Sequence, residues 1–96
     1  MYAHAKPVVV RAGGDIDYDT APALRRTLAA ELGKHREVVL DLSQVTFMDC
    51  AGLSAVVHAH GQADRRGGRL VLRGAGPPVI RLLKLTGLDH CLTVDP

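Results

Sequence analysis

The sequence has no tryptophan, and its aromatic side chains are limited to Tyr2, Tyr18 and Phe47. A core must therefore be assembled from Leu, Val and Ala, and the stacking platforms that hold single-stranded nucleic acid are missing. An excess of charge is missing as well. Twelve Lys and Arg stand against ten Asp and Glu, for a formal net charge of +2, far from the dense positive stripe that neutralises a run of phosphates. These absences exclude a nucleic-acid partner. No apolar run approaches the ~20 residues that cross a bilayer, which excludes membrane insertion but not docking on a membrane-bound protein. The N-terminus carries neither a charged segment before an apolar stretch nor a signal cleavage site. Cysteine is scarce too: Cys50 and Cys91 form no CxxC spacing, so the expectation is reduced thiols in a cytoplasmic protein.

What is present is an ordinary globular composition, 47% hydrophobic and 23% charged over 96 residues. A chain of this size makes one domain, here residues 1–96, that buries roughly 60 to 65% of its unfolded surface without disulfides or metals. Apolar runs bounded by turn signals predict strands at Pro7 to Arg11, Glu37 to Leu42, Arg69 to Arg73 and Cys91 to Val94, with a possible short edge strand at Tyr2 to His4. Between them, helical spacing predicts Ala21 to Leu32, with Leu24, Leu28 and Leu32 on one face, then Cys50 to Arg66, then Pro77 to Thr86. Asp19 or Thr20 is expected to cap the first helix, with Pro22 in its first turn and Gly33 as a left-handed stop. Asp49 is expected to cap the second, and Gly87 to end the third. The alternation predicts an α/β fold, a mostly parallel four- to five-stranded sheet packed by about three helices.

Projected at ~100° per residue, the second helix sends Leu53, Val56, Ala59, His60 and Ala63 toward the sheet. Ala51, Ser54, His58, Gln62 and Arg65 fall on the opposite, exposed stripe. The stretch Val39-Leu40-Asp41-Leu42-Ser43-Gln44-Val45-Thr46-Phe47-Met48-Asp49-Cys50-Ala51-Gly52-Leu53 resembles the signature segment of STAS domains of bacterial anti-sigma factor antagonists. Gly14-Asp15-Ile16-Asp17 followed by Thr20-Ala21-Pro22-Ala23-Leu24-Arg25 is similar to that family's first strand-to-helix junction. The likeness runs in order and spacing from about residue 7 to 95.

The resemblance implies a regulator, not an enzyme, that needs no cofactor. Its implied partner is an anti-sigma factor of the histidine-kinase-like ATPase type, whose capture releases a sigma factor. It places the partner-binding surface at Asp17, Asp49, Cys50, Ala51 and Gly52, which Ser54 and His58 extend along the exposed stripe. In such proteins a serine or threonine two residues after the aspartate takes a phosphate that ends the interaction. Here that position is Ala51, preceded by Cys50, so the acceptor hydroxyl is absent and Ser54, one turn on, is the nearest substitute.

Each of these residues also has a local reading. Asp49 is an N-cap and Asp17 a turn residue. Cys50 is a small stand-in for the usual serine, since the adjacent Asp49 opposes the thiolate that a helix N-terminus favours. Cys91 is expected in the core and His60 as a hydrogen-bonded, half-buried residue. His58 and His60 point to different faces and cannot chelate together, and His4, His35 and His90 form no ligand cluster, so no metal is expected. The glycine pairs complete no phosphate-binding motif and are read as turns. Three alternatives stay open. One is a STAS module of a sensory, transport or lipid-transport complex. Another is a weak nucleotide or small-molecule site at the Gly74 to Pro78 loop, expected on the same edge as Asp17 and Asp49. The third is magnesium-dependent phospho-aspartate chemistry at Asp17, Asp41 and Asp49. The oligomeric state is left between a monomer and a weak dimer.

Overall fold

A computed structural model describes residues 7–95; the short strand expected at Tyr2 to His4 lies outside them. Four strands, β1 (Val8–Ile16), β2 (Glu37–Met48), β3 (Arg69–Arg73) and β4 (Thr93–Asp95), alternate with helices α1 (Ala21–Leu32), α2 (Cys50–Arg65) and α3 (Pro77–Thr86). A single 3₁₀ turn, Leu88–His90, precedes β4. Among the described residues the sheet has the order β1-β2-β3-β4 and every pairing is parallel.

Alternation along each strand sorts its residues between two faces. Val10, Leu40 and Leu72 point into one core with Leu28 of α1, Val56 and Ala59 of α2, and Val79 and Leu83 of α3. Each such Val or Leu side chain contributes on the order of 1.5–3 kcal/mol when fully buried. On the other face Arg11, Asp41, Arg73 and Asp95 lie in register across all four strands, with Arg11–Asp41 and Arg73–Asp95 contacts of 3.8 Å. A second pair on that face, Arg69 and Glu37, meets at 2.9 Å.

Several expectations need correction. β1 and β2 run well past Arg11 and Leu42 as a paired two-stranded arm ending at Ile16 and Met48. Gly13-Gly14 is therefore not a turn. It lies within β1 where the register shifts, and Gly14 adopts φ +68, which glycine allows without strain. Gly33 ends α1 right-handed, at φ −71, because the amides of Gly33, Lys34 and His35 fold back onto the Ala29 and Glu31 carbonyls. β4 begins at Thr93, and Cys91 is exposed, not core. With the 3₁₀ turn placed before it, Leu92 and Val94 take the inward positions and Cys91 falls out of phase.

Candidate functional site

The arm of β1 and β2 carries two acidic junctions to one end of the molecule. Met48 closes the ladder opposite Ile16, and the next residue, Asp49, donates its amide to the Ile16 carbonyl at 3.2 Å. Asp49 is extended (φ −105, ψ −172), and its Oδ1 accepts the amides of Ala51 at 2.9 Å and Gly52 at 3.1 Å. This N-cap satisfies amides that α2 itself cannot, a contribution of about 1 kcal/mol. The helix can start this close to the strand only because residue 52 lacks a side chain. A Cβ there would lie 2.7 Å from both Ile16 Cγ2 and the Ile16 carbonyl.

Asp17 organises the other junction. Its Oδ1 accepts the amides of Asp19 at 3.0 Å and Thr20 at 3.1 Å, while Thr20 Oγ1 accepts the Asp17 amide at 2.9 Å and donates to the Asp15 carbonyl at 2.9 Å. The cap expected of Asp19 or Thr20 is not made: Thr20 precedes α1 with its hydroxyl engaged in this turn and no capping bond from its side chain. Thr20 locks the turn that aims α1, a role that the sequence reading missed although its hydroxyl beside three aspartates signals it.

Between the starts of α1 and α2 lies an open groove of about 430 Å³. Ala21, Ala51 and Ala55 give it a small-residue lining, and Tyr18, Arg25, Arg26 and Ser54 stand around it. Tyr18 is 81% exposed, an unusual cost for an aromatic ring on a surface this poor in them. Ala51 is half-buried at the groove, and Ser54 and Cys50 are exposed beside it. Of the residues expected at the surface, Gly52 is corrected to a buried position where its amide is already bonded to Asp49. His58 is exposed but lies further along α2, outside the groove lining. Gln62 is half-buried, not exposed, and its Oε1 is sealed from solvent with no hydrogen-bond partner. His60 is half-buried without any hydrogen bond from its ring among the described residues. Tyr18, Arg25 and Arg26 were not singled out from sequence. Tyr18 is nonetheless legible as the one aromatic in an acidic turn.

The third aspartate stands apart. Asp41 pairs with Arg73, the last residue of β3, whereas seven further residues of β2 carry the chain on to Met48, about 20 Å along the strand. Asp41 therefore cannot share a metal with Asp17 and Asp49, and among the described residues no cluster of three or more His, Cys, Asp or Glu could hold one. The Gly74 to Pro78 loop leaves the C-terminal edge of the parallel sheet, as do Asp17 and Asp49, but it is set back along the strands: Gly74 packs on Ser43, level with Asp41 and seven residues short of Met48. The Asp41 carboxyl is held below the usual aspartate range by the Ser43 hydroxyl, the Ser43 amide at 2.9 Å, and the charges of Arg11 and Arg73. Its environment is a structural ladder on the sheet's outer face.

The chain matches the family described as "Mlab, STAS domain" over residues 2–94. An anti-sigma F factor antagonist of Paenibacillus polymyxa is 29% identical over 96 residues, covering 98% of this chain and 82% of that protein. An anti-sigma-B factor antagonist of Listeria monocytogenes is 34% identical over 82 residues, covering 84% and 72% respectively. A crystal structure of an anti-sigma factor antagonist from Mycobacterium paratuberculosis superposes with a TM-score of 0.84 at 31% identity, covering 98% of this chain and 81% of that one.

Proposed function

Since the chain belongs to the STAS domain family, we propose that it is an anti-sigma factor antagonist that docks a partner on the first turn of α2 and the adjoining groove. The observation that carries this reading is that half-buried Ala51 and exposed Ser54 both line the groove beside Tyr18, on a helix start fixed by Asp49 and Gly52. A rigid start loses little entropy when a partner orders it. The partner is an anti-sigma factor of the histidine-kinase-like ATPase type, bound in the cytoplasm, and its capture frees a sigma factor. No helix among the described residues is long and apolar enough to cross a membrane. The protein acts by binding and not by catalysis.

Ala51 sets the regulation. A phosphate at this position would bring about −1.5 to −2 charges beside the Asp49 carboxylate and into the groove, and would end docking. With a methyl group in place of a hydroxyl, the antagonist stays in its binding-competent state. Asp17 and Asp49 use one carboxylate oxygen, Oδ1, for local amides, so Oδ2 of each is left to meet a cationic group of the partner.

The test is incubation of the full chain with the ATPase-type anti-sigma factor of its own genome and labelled ATP. The expected result is a stable complex without phosphate transfer, transfer restored in Ala51→Ser, and affinity lowered at least about tenfold in Ser54→Arg with the circular dichroism unchanged. Stoichiometric phosphate on the native chain overturns the regulatory reading. Undiminished binding by Ser54→Arg overturns the docking surface.

A further inference from the structure

At the opposite end of the domain, where α1 and α2 finish, a recess of about 230 Å³ opens between the two helix ends. Buried Leu32 and Ala63 contribute to its base, and every charged or titratable side chain that lines it is basic: Lys34, His35, Arg36 and Arg66. Glu31, at the end of α1, has its two oxygens at the limit of ion pairing, 4.0 Å from Lys34 and 3.9 Å from His35, and Asp64 of the last turn of α2 makes no ion pair among the described residues. Among the described residues neither Arg36 nor Arg66 pairs with a carboxylate. Arg69, close in sequence, is withdrawn from this count by its short contact with Glu37 on the sheet's outer face.

Cations at helix C-termini have an ordinary use, which is to offset about half a negative charge at each end. That use does not absorb these four residues. Two helix ends, Glu31 and Asp64 together supply about three negative charges against the full charges of Lys34, Arg36, Arg65 and Arg66, which leaves an excess of about one before His35 is counted. The terminal carbonyls also have backbone partners already. Ala29 and Glu31 accept from Gly33, Lys34 and His35, and Ala63 and Asp64 accept from Arg66, Gly67 and Gly68. Among the described residues only Arg66 of these four reaches a helix-end carbonyl, with Nη1 at 3.5 Å from the Leu32 oxygen, a long contact beside Gly33.

We propose that this recess is an anion site for the phosphate group of a small soluble ligand, independent of the docking surface at the other end. Planar guanidinium groups present paired donors that match phosphate oxygens, and Lys34 adds a mobile point charge. The volume falls below the roughly 300–1,000 Å³ of pockets that enclose a whole drug-sized ligand, so the phosphate enters and the rest of the molecule stays outside.

The experiment uses the full ¹⁵N-labelled chain titrated with inorganic phosphate, with sodium chloride added to keep ionic strength constant. The expected outcome is a saturable shift confined to the amides of residues 33–36 and 66–68, with Ala51 and Ser54 unmoved. Arg36→Gln, whose side chain makes no hydrogen bond among the described residues, should weaken the response about tenfold while the remaining spectrum is unchanged. Equal shifts with chloride alone, a response that never saturates, or shifts spread over Arg81 and Lys84 would overturn the proposal. Co-sedimentation with vesicles of phosphatidic acid, without a response to inorganic phosphate, would reassign the surface to a membrane and overturn it as well.

Discussion

Where β1 and β2 finish, the carboxylates of Asp17 and Asp49 accept amides from the residues that follow them, and the two helices leave from turns with no slack. Where α1 and α2 finish, the loops are closed by backbone bonds and by one long contact from Arg66 Nη1 to the Leu32 carbonyl, and the side chains Lys34, Arg36 and Arg66 are exposed. The first end spends its polar groups on positioning; the second keeps them available. A protein that must present one fixed surface to another polypeptide needs the first construction. A site that gathers a small anion needs charge more than rigidity. Both ends nevertheless depend on a glycine at which two backbones approach closely, Gly52 at one and Gly68 at the other.

Alanine at those two glycines is the severest way to break the comparison. A Cβ on Gly68 would run into the Arg36 carbonyl, which is pinned by the Arg69 amide at 2.7 Å, so Gly68→Ala should cost about 3 kcal/mol through backbone displacement. Gly52→Ala meets Ile16 Cγ2 and the Ile16 carbonyl at 2.7 Å, offset in part by the better helix propensity of alanine, for a net loss of about 1–2 kcal/mol. Gly61→Ala, in the same helix, meets only the mobile tip of Arg65 at 3.4 Å and should gain about 0.5–1 kcal/mol. Urea midpoints at constant m-value decide all three. Equal effects at Gly52 and Gly61 would remove the case for a tight start to α2.

Asp49 offers a smaller and more selective break. Asp49→Ala should cost about 1 kcal/mol by freeing the Ala51 and Gly52 amides, whereas Asp49→Asn keeps an acceptor and should stay within a few tenths of wild type. If Asn restores stability but not partner affinity, the charge serves docking. If it restores both, Asp49 is a cap and no more. Urea titration and a binding isotherm on the same samples separate the two.

The sequence carries the helices more clearly than the strands, and the reasons are physical. α1 and α3 begin and end where the Leu spacing, Pro22, Pro77 and Gly87 place them, and α2 stops one residue short of Arg66. The outer halves of β1 and β2 escape a reading by apolar runs because Gly13, Gly14, Ser43 and Gln44 are exposed and held by each other's backbones, not by the core. Asp17, Asp49, Ala51 and Ser54 are legible because motif spacing brings them to one end. Tyr18 is marked only by being an aromatic in an acidic turn, and Arg25 and Arg26 not at all, because a groove between two helices depends on how the helices pack, which no local pattern encodes. The same holds for the basic recess, whose residues come from two loops 30 positions apart.

Asp41 gives the mildest expected effect, and it sharpens the contrast by lying at neither end. Hydrogen bonds from Ser43, then the charges of Arg11 and Arg73, favour its ionised form in the folded chain, so its pKa is lower folded than unfolded. The folded state therefore holds fewer protons at this site, and the stabilisation is present above about pH 4. It is lost as the pH falls from there through the depressed folded value. Asp41→Asn should flatten the acid limb of a stability-against-pH curve below about pH 4, with a slight loss of stability at neutral pH that narrows as the pH falls. Because the carboxylate sits on the sheet's outer face, away from both the docking groove and the basic recess, this substitution should leave partner binding and phosphate binding untouched. A change in either would mean that the charge ladder across the four strands couples the two ends, and that the positioned end and the available one are not separate.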